Sequence, residues 1–289
     1  FYNQTGDKLF QEIMGSEEYY VTRCEAEIFQ THAREIATVL KNDLNEFDLI
    51  ELGAGDASKT IHLLEKLHNM GCHFQYVPID ISASMIRYLE QMLPEMLPGM
   101  VIKGLTGEYL DMLYKAAKLS TRKKVVMFLG SNIGNMNSAE ALIFLKKVRA
   151  ALDIGDRMLI GFDLKKDPAT ILAAYNDASG FTREFNLNLL MRINRELGAD
   201  FDIHQFEHFP TYDPISGSCR SFLVSKQQQK VHLADEVLDF KEGEIIDMEL
   251  SQKYDLHEIN SMAESCGFLT SGVFMDSREW FVDTIWECV

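Results

Sequence analysis

Gly53 and Gly55, in the stretch "LIELGAGDASKT" from Leu49 to Thr60, follow an apolar run that ends in an acid. Glycines so placed allow a tight turn and let a ligand come close to the backbone. As a dinucleotide fingerprint the turn fails. Its third glycine would fall at Ser58, and Asp56 would aim a carboxylate at the helix N-terminus where a pyrophosphate needs unopposed amides. A ligand with a neutral or cationic centre suits it better. Asp80, in "VPIDIS", follows Gly53 by 27 residues and can accept both hydroxyls of a ribose. Glu108 and Tyr109, after the third strand, can bracket an adenine, the acid accepting its amino group and the ring stacking. Adenosine without phosphate, beside a sulfonium favoured by negative charge, is S-adenosylmethionine. The chemistry is then methyl transfer.

The elements that must position these residues alternate along the chain. "FDLIELGAG", "FQYVPIDIS", "MVIKGLTGEYLDML", "KVVMFLGSNIGN" and "DRMLIGFDL" supply five strands, the third with its turn. "SKTIHLLEKLHNMG", "SASMIRYLEQMLPEM" and "SAEALIFLKKVRAAL" supply helices between them, with Ser82 or Ser84 as a cap of the second. Near-continuous apolar strands between amphipathic helices predict a parallel sheet covered on both faces. A last helix, "DLHEINSMAESCGF", and a hairpin, "LTSGVFMDS" with "EWFVDTIWECV", would extend the sheet edge. Between Asp167 and Tyr254 the alternation lapses. A helical stretch from Pro168 to Phe201, and two strands around a polar Gln turn in "SCRSFLVSKQQQKVHL", read as an inserted subdomain, joined by the N-terminal segment.

Composition narrows the partners. The 289 residues are 46% hydrophobic and carry a net charge of −16, spread along the chain. That balance argues against nucleic acid, whose phosphates need clustered Lys and Arg. Arg122-Lys123-Lys124 reads as the loop entering a strand. Five scattered cysteines without a CxxC pair suggest reduced thiols in a cytoplasmic protein. His204 and His208 have i,i+4 spacing but no metal-site context, and their segment is not a helix former. No apolar run approaches the ~20 residues of a membrane span. No signal peptide is legible, and since the chain opens on Phe1 rather than methionine, native residues are expected ahead of it.

Beyond these features the sequence resembles the L-histidine-specific Nα-methyltransferases of the ergothioneine pathway. The matching stretches are "FYNQTGDKLFQEIM", "EEYYVTRCEAEI", "ELGAGDASKT", "FLGSNIGN", "AYNDASGFTREFNLNLL" and "MELSQKY". The resemblance implies an α/β fold, a Rossmann-like class I methyltransferase sheet with an inserted, discontinuous α+β substrate domain. Residues 29–166 and 253–289 would bind S-adenosylmethionine, and residues 1–28 and 167–252 the substrate. It also implies that Gly53, Gly55, Lys59, Asp80, Glu108 and Tyr109 line the cofactor. Asn135 and Tyr175 would hold the substrate carboxylate, Tyr2 and Tyr19 would lie by the amine, and Glu249 and Ser251 would hydrogen-bond the imidazole. The implied product is the trimethylated betaine, made stepwise by a monomeric enzyme.

Plainer readings stand beside these. Tyr2 is also a terminal residue, Tyr19 and Tyr175 can be core aromatics, and Asn135 can cap the helix after the fourth strand. Glu249 and Ser251 can share a solvated strand face, and Lys59 can pack over the glycine loop. Val21 replaces a usual proline, and Glu108-Tyr109 stands for a common Asp-Phe. "SCRSFLV" lacks a methionine that many members place against the substrate ring, and the register points to Ser221 or Cys219 there. Three rivals follow: Nα-methylation of another aromatic amino acid such as a tryptophan derivative, a nicotinamide oxidoreductase, and a sensor without catalysis.

Overall fold

The computed structural model describes residues 3–44 and 46–289. The chain forms two compact units. One is drawn from the segment ending at Thr22 and from Lys165–Lys253, the other from Arg23–Leu164 and Tyr254–Val289.

Helix α1 (Gln4–Gly15) begins where Asn3 turns extended and its side chain accepts from the Gly6 amide at 2.8 Å, satisfying an otherwise orphaned donor. Helix α2 (Val21–Lys41) buries Cys24, Ile28, Ala33, Ile36 and Leu40 at helical spacing. Strand β1 (Glu46–Leu52) is buried from Phe47 onward, and α3 (Ile61–Asn69) follows with Leu63, Leu64 and Leu67 inside. Strand β2 (His73–Asp80) leads to α4 (Ala83–Met96), whose N-cap is Ser82.

Two short pieces, β3 (Val101–Ile102) and β4 (Leu105–Thr106), stand where the sequence predicts one third strand. Its expected turn is instead the start of a helix, α5 (Tyr109–Ala117). Met112, Leu113 and Ala116 bury its inner face, a pattern too brief to declare a period. Strand β5 (Lys123–Phe128), a 3-10 turn at Asn132–Asn135 and α6 (Ser138–Ala150) come next. Strand β6 (Arg157–Asp163) is buried at every residue, as a central strand must be.

The chain then enters α7 (Pro168–Ala174) and α8 (Phe181–Leu197). Between them the Asp177 carboxylate takes the Phe181 and Thr182 amides, both at 2.8 Å, which splits the predicted helical stretch in two. Strands β7 (Phe206–Asp213), β8 (Ser218–Ser225), β9 (Gln229–Leu233), β10 (Glu236–Phe240) and β11 (Ile245–Gln252) follow. The two strands predicted around the Gln turn exist, but they do not pair with each other. β8 is the middle of an antiparallel sheet β11-β8-β7, and β9 pairs with β10. The separation has a visible cause at Ser225, whose amide and carbonyl are taken by Glu244 and Gly243 while its hydroxyl ties down Gln227 and Gln229. Leu187, Leu190, Phe206, Leu223 and Val231 form the core of this unit.

Helix α9 (Leu256–Ser265) and the hairpin β12 (Phe268–Met275) and β13 (Phe281–Cys288) return the chain to the larger sheet. Its order is β12-β13-β6-β5-β1-β2-β3, with β4 also on β2. The strands from β6 to β3 and β4 are parallel; β13 joins β6 antiparallel, extending the edge as predicted. Strand order reverses beside β1, so the crevice for a ligand opens at the carboxyl ends of β1 and β5. Where β6 ends, Leu164 forms a parallel bridge with Tyr254, whose amide donates to the Asp163 carbonyl at 3.1 Å.

Among the described residues no helix is long and apolar enough to cross a membrane, and no group of His, Cys, Asp and Glu is arranged to hold a metal ion.

Candidate functional site

The glycine turn hangs from the end of β2: the amides of Gly53 and Ala54 both donate to the Ile79 carbonyl, at 2.8 and 3.2 Å. Gly53 has φ +76°, and a Cβ there would lie 2.8 Å from the Tyr109 hydroxyl. Two independent constraints therefore demand glycine. The Gly55 amide donates to Asp80 Oδ2 at 3.2 Å, and the Ser82 amide to Asp80 Oδ1 at 2.8 Å. Asp80 thus clamps the turn after β1 to the turn after β2.

The Tyr109 ring stands edge-on to Phe128, centroids 5.7 Å apart. Burial raises the pKa of its phenol, helped by the nearby charges of Asp80 and Glu108. Glu108 occupies the N-cap of α5 without capping it, so its exposed carboxylate is left for another donor. The structure therefore brings Gly53, Gly55, Asp80, Glu108 and Tyr109 together. Asp56 Oδ1 accepts from the Ser58 amide at 3.0 Å, occupying a donor that a pyrophosphate would require. A cavity of about 70 Å³ opens beside this turn, lined by Gly53, Asp56, Lys59, Gly130 and Asn132 among others.

Lys59 lines that cavity, yet its ammonium turns onto Glu25 of α2, whose other oxygen accepts from the Gly130 amide at 2.6 Å. Glu51, the penultimate residue of β1, is buried, and accepts from Thr60 at 2.7 Å and Tyr76 at 2.5 Å. Asp283 of β13 is wholly buried, with neither oxygen hydrogen-bonded among the described residues. Burial, reinforced by Glu25, holds its pKa far above the carboxylate range. A Cβ at Gly161 would lie 2.6 Å from Glu25 and 2.9 Å from Asp283, so only glycine lets the two acids approach. Glu25 sits in the quoted N-terminal motif and Glu51 in the quoted glycine stretch; Asp283 carries no sequence signal beyond a charge inside an apolar strand.

Glu51 yields a measurable consequence. Burial pushes it up to about 7 from an ordinary 4.5, against the opposing hydrogen bonds of Tyr76 and Thr60. The folded state thus holds its proton more tightly than the unfolded state. The stability so gained is complete below about pH 4.5 and lost as pH rises through about 7. Glu51→Gln is expected to flatten the fall of melting temperature between pH 5 and 8. Melts of equal slope for both proteins would remove Glu51 as its source.

Asn135 ends the 3-10 turn after β5, exposed, and makes no side-chain hydrogen bond among the described residues. The cap of α6 is Asn137, in a capping box with Glu140.

The second group of residues lies in the smaller unit. Tyr175 ends α7, and its hydroxyl donates to Ser251 Oγ at 2.7 Å. The Tyr19 ring meets Tyr175 edge-on at 6.3 Å. Glu249 and Ser251 alternate on β11, so they share a face. Glu249 accepts from Asn186 at 3.2 Å, and burial raises its pKa. Opposite them on β8 stand Ser221 and Cys219, the two positions at which the sequence lacks the methionine of related chains. Ser221 is 3.2 Å from Nε2 of His208, an imidazole that burial pushes down to about 4 and so keeps neutral. Tyr2 lies outside the described residues. Lys253, Asn186 and His208 were not legible as members of this cluster; Lys253 had a signal in its place in "MELSQKY", and Asn186 in "AYNDASGFTREFNLNLL".

A parallel sheet of this order, edged by an antiparallel hairpin and bearing a GxG turn after its first strand with acids after its second and third, is that of the class I S-adenosylmethionine-dependent methyltransferases. The model of a family described as histidine-specific, S-adenosylmethionine-dependent methyltransferases matches residues 1–288, and the chain belongs to that family. A histidine N-alpha-methyltransferase of Mycolicibacterium smegmatis is 36% identical over 256 residues, covering 88% of this chain and 78% of the relative. One of Mycobacterium tuberculosis is 33% identical, covering 92% and 82%. Ergothioneine biosynthesis protein 1 of Neurospora crassa is 39% identical over 68% of this chain, which spans only 22% of that longer protein. The protein is thus an enzyme that uses S-adenosylmethionine, and the nicotinamide reading falls. The turn fits that cofactor: carboxylates of Asp80 and Glu108 offer acceptors to an adenosine, and Asp56 denies a pyrophosphate its amides.

Proposed function

We propose that the enzyme methylates the α-amine of free L-histidine stepwise to the trimethylated betaine hercynine, the entry to ergothioneine. The observation that carries this reading is the pairing on β11 of a half-buried carboxylate, Glu249, with a hydroxyl, Ser251, two residues on. A carboxylate beside an imidazole N–H makes a charge-assisted bond, and a side chain without that N–H leaves Glu249 unpaired.

In this reading residues of the larger unit hold the cofactor, and residues of the smaller unit, together with Asn135, hold the amino acid. Asp80 receives the ribose hydroxyls, while Glu108 and Tyr109 bracket the adenine above Gly53 and Gly55. Lys59, turned onto Glu25, braces the turn. Asn135 donates to the substrate carboxylate, and Tyr175 lies beside it, its own proton given to Ser251. The cofactor supplies a methyl group activated by its sulfonium. The nucleophile must be a neutral amine, so a proton has to leave before each transfer. Tyr19 and Tyr2 accept hydrogen bonds from the amine without a fixed charge that would keep it protonated. Their rings also stabilise the growing methylammonium, by about 0.5–2 kcal/mol each. The same reading has a monomer working in the cytoplasm, where five cysteines that form no disulfide among the described residues stay reduced.

Mass spectrometry of protein incubated with S-adenosylmethionine and an equimolar pool of free amino acids tests the proposal. Histidine heavier by one, two and three methyl groups is expected. Methylation of a tryptophan or other aromatic amino acid alone would keep the reaction and discard the roles given to Glu249 and Ser251.

A further inference from the structure

Lys253 closes β11's face with a buried ammonium that belongs to no role so far. It is 0% exposed, and its Nζ donates to Tyr175 at 2.7 Å and to Ser251 Oγ at 2.8 Å, 4.6 Å above the Tyr175 ring. Its backbone is fixed as well. The Lys253 amide donates to the Gly217 carbonyl at 2.8 Å, and a Cβ on Gly217 would lie 2.2 Å from the Lys253 carbonyl.

A serine hydroxyl has two acceptor positions and one donor. Tyr175 and Lys253 both donate to Ser251 Oγ, filling both acceptor positions. What remains is the O–H, forced outward. We infer that Lys253 is a positioning residue that fixes Ser251 as a hydrogen-bond donor, so that the pocket requires a ring with an acceptor nitrogen at Ser251 and an N–H at Glu249. A neutral imidazole has both. An indole or pyrrole has the N–H alone, and meets Ser251 with carbon. The inference rests on the histidine reading proposed above, and adds to it which hydrogen-bonding sense each side chain presents and what sets it.

Without the lysine ammonium the Tyr175–Ser251 bond can reverse: the Ser251 hydroxyl turns onto the Tyr175 oxygen, and the phenol proton goes to the substrate carboxylate beside it. A ring lacking the acceptor nitrogen then leaves no orphaned donor, whose desolvation is the basis of its rejection. The test compares histidine with the two pyrrolylalanines, each keeping one ring N–H, in the wild type and in Lys253→Met. The readout is the ratio of kcat/KM values, in which any general loss of activity cancels. Histidine's advantage over the better pyrrolylalanine is expected to shrink about tenfold in Lys253→Met, chiefly through KM, and to be kept in Lys253→Arg, which still donates. Should Lys253→Met fold poorly, Lys253→Leu serves, because it too lacks a donor and the same narrowing is expected. An unchanged ratio in a folded variant overturns the inference and leaves the histidine reading standing. A wild type that methylates no histidine overturns that reading, and the inference with it.

Discussion

Glu249→Ala is expected to lower kcat/KM for histidine about a hundredfold, with the loss mostly in KM and the KM for S-adenosylmethionine unmoved. A hydrogen bond to a charged group contributes about 1.5–3 kcal/mol, and truncation leaves the ring N–H facing an apolar gap. Asn186 would add to the loss, since its amide donates to Glu249 and its own oxygen is already without a partner among the described residues. The carboxylate must be ionised to accept from the ring. Because burial raises its pKa, histidine binding should weaken as pH falls through that raised value, earlier than an exposed glutamate would allow. Steady-state kinetics on histidine, phenylalanine and tryptophan check this. If the variant stays within threefold of wild type on histidine, Glu249 does not read the ring. A fall shared equally by all three amino acids would point to a collapsed pocket instead.

Asp80→Ala is the second change with a large expected effect, and it acts on the other reactant. The Asp80 carboxylate has two tasks. It already accepts the Gly55 and Ser82 amides, and in the proposed complex it also receives the ribose. Alanine removes all of these, freeing the glycine turn and orphaning two amides at once. Cofactor affinity is expected to drop at least a hundredfold, about 3 kcal/mol, consistent with losing charge-assisted bonds to both the turn and the ligand. Asp80→Asn should fall between, since its oxygen can still accept from one amide. Isothermal titration with S-adenosylmethionine separates the cases. If Asp80→Ala binds as wild type does, the acid after β2 is only a brace for the turn.

Much of this was readable from the residue string, for physical reasons that differ by element. β1, β5 and β6 announce themselves because a strand buried on both faces must be apolar throughout, and the glycine turn because positive φ admits few other residues. The Glu249–Ser251 pair follows from a period of two, which needs no knowledge of the fold. Helix α5 was hidden because three apolar residues over one turn fit a strand's end as well as a helix. The separation of β8 from β9 was hidden because pairing partners are set by Ser225's bonds to residues well downstream in the chain. Asp283 was the least legible. A charged residue in an apolar stretch looks like a solvated interruption until the structure shows what its charge faces.

The bridge between Leu164 and Tyr254 bears on how such an enzyme can change over generations. From the standpoint of the large sheet, everything from Lys165 to Lys253 is one excursion that leaves and returns at neighbouring points. The entropy of closing such an excursion grows only with the logarithm of its length. Insertions, deletions or wholesale rebuilding there leave the pairing of β6, β13 and β5 intact. Strands that carry the glycine turn are therefore insulated from whatever drift refashions the excursion. One methyl-donor scaffold can serve successive side-chain preferences without being refolded each time.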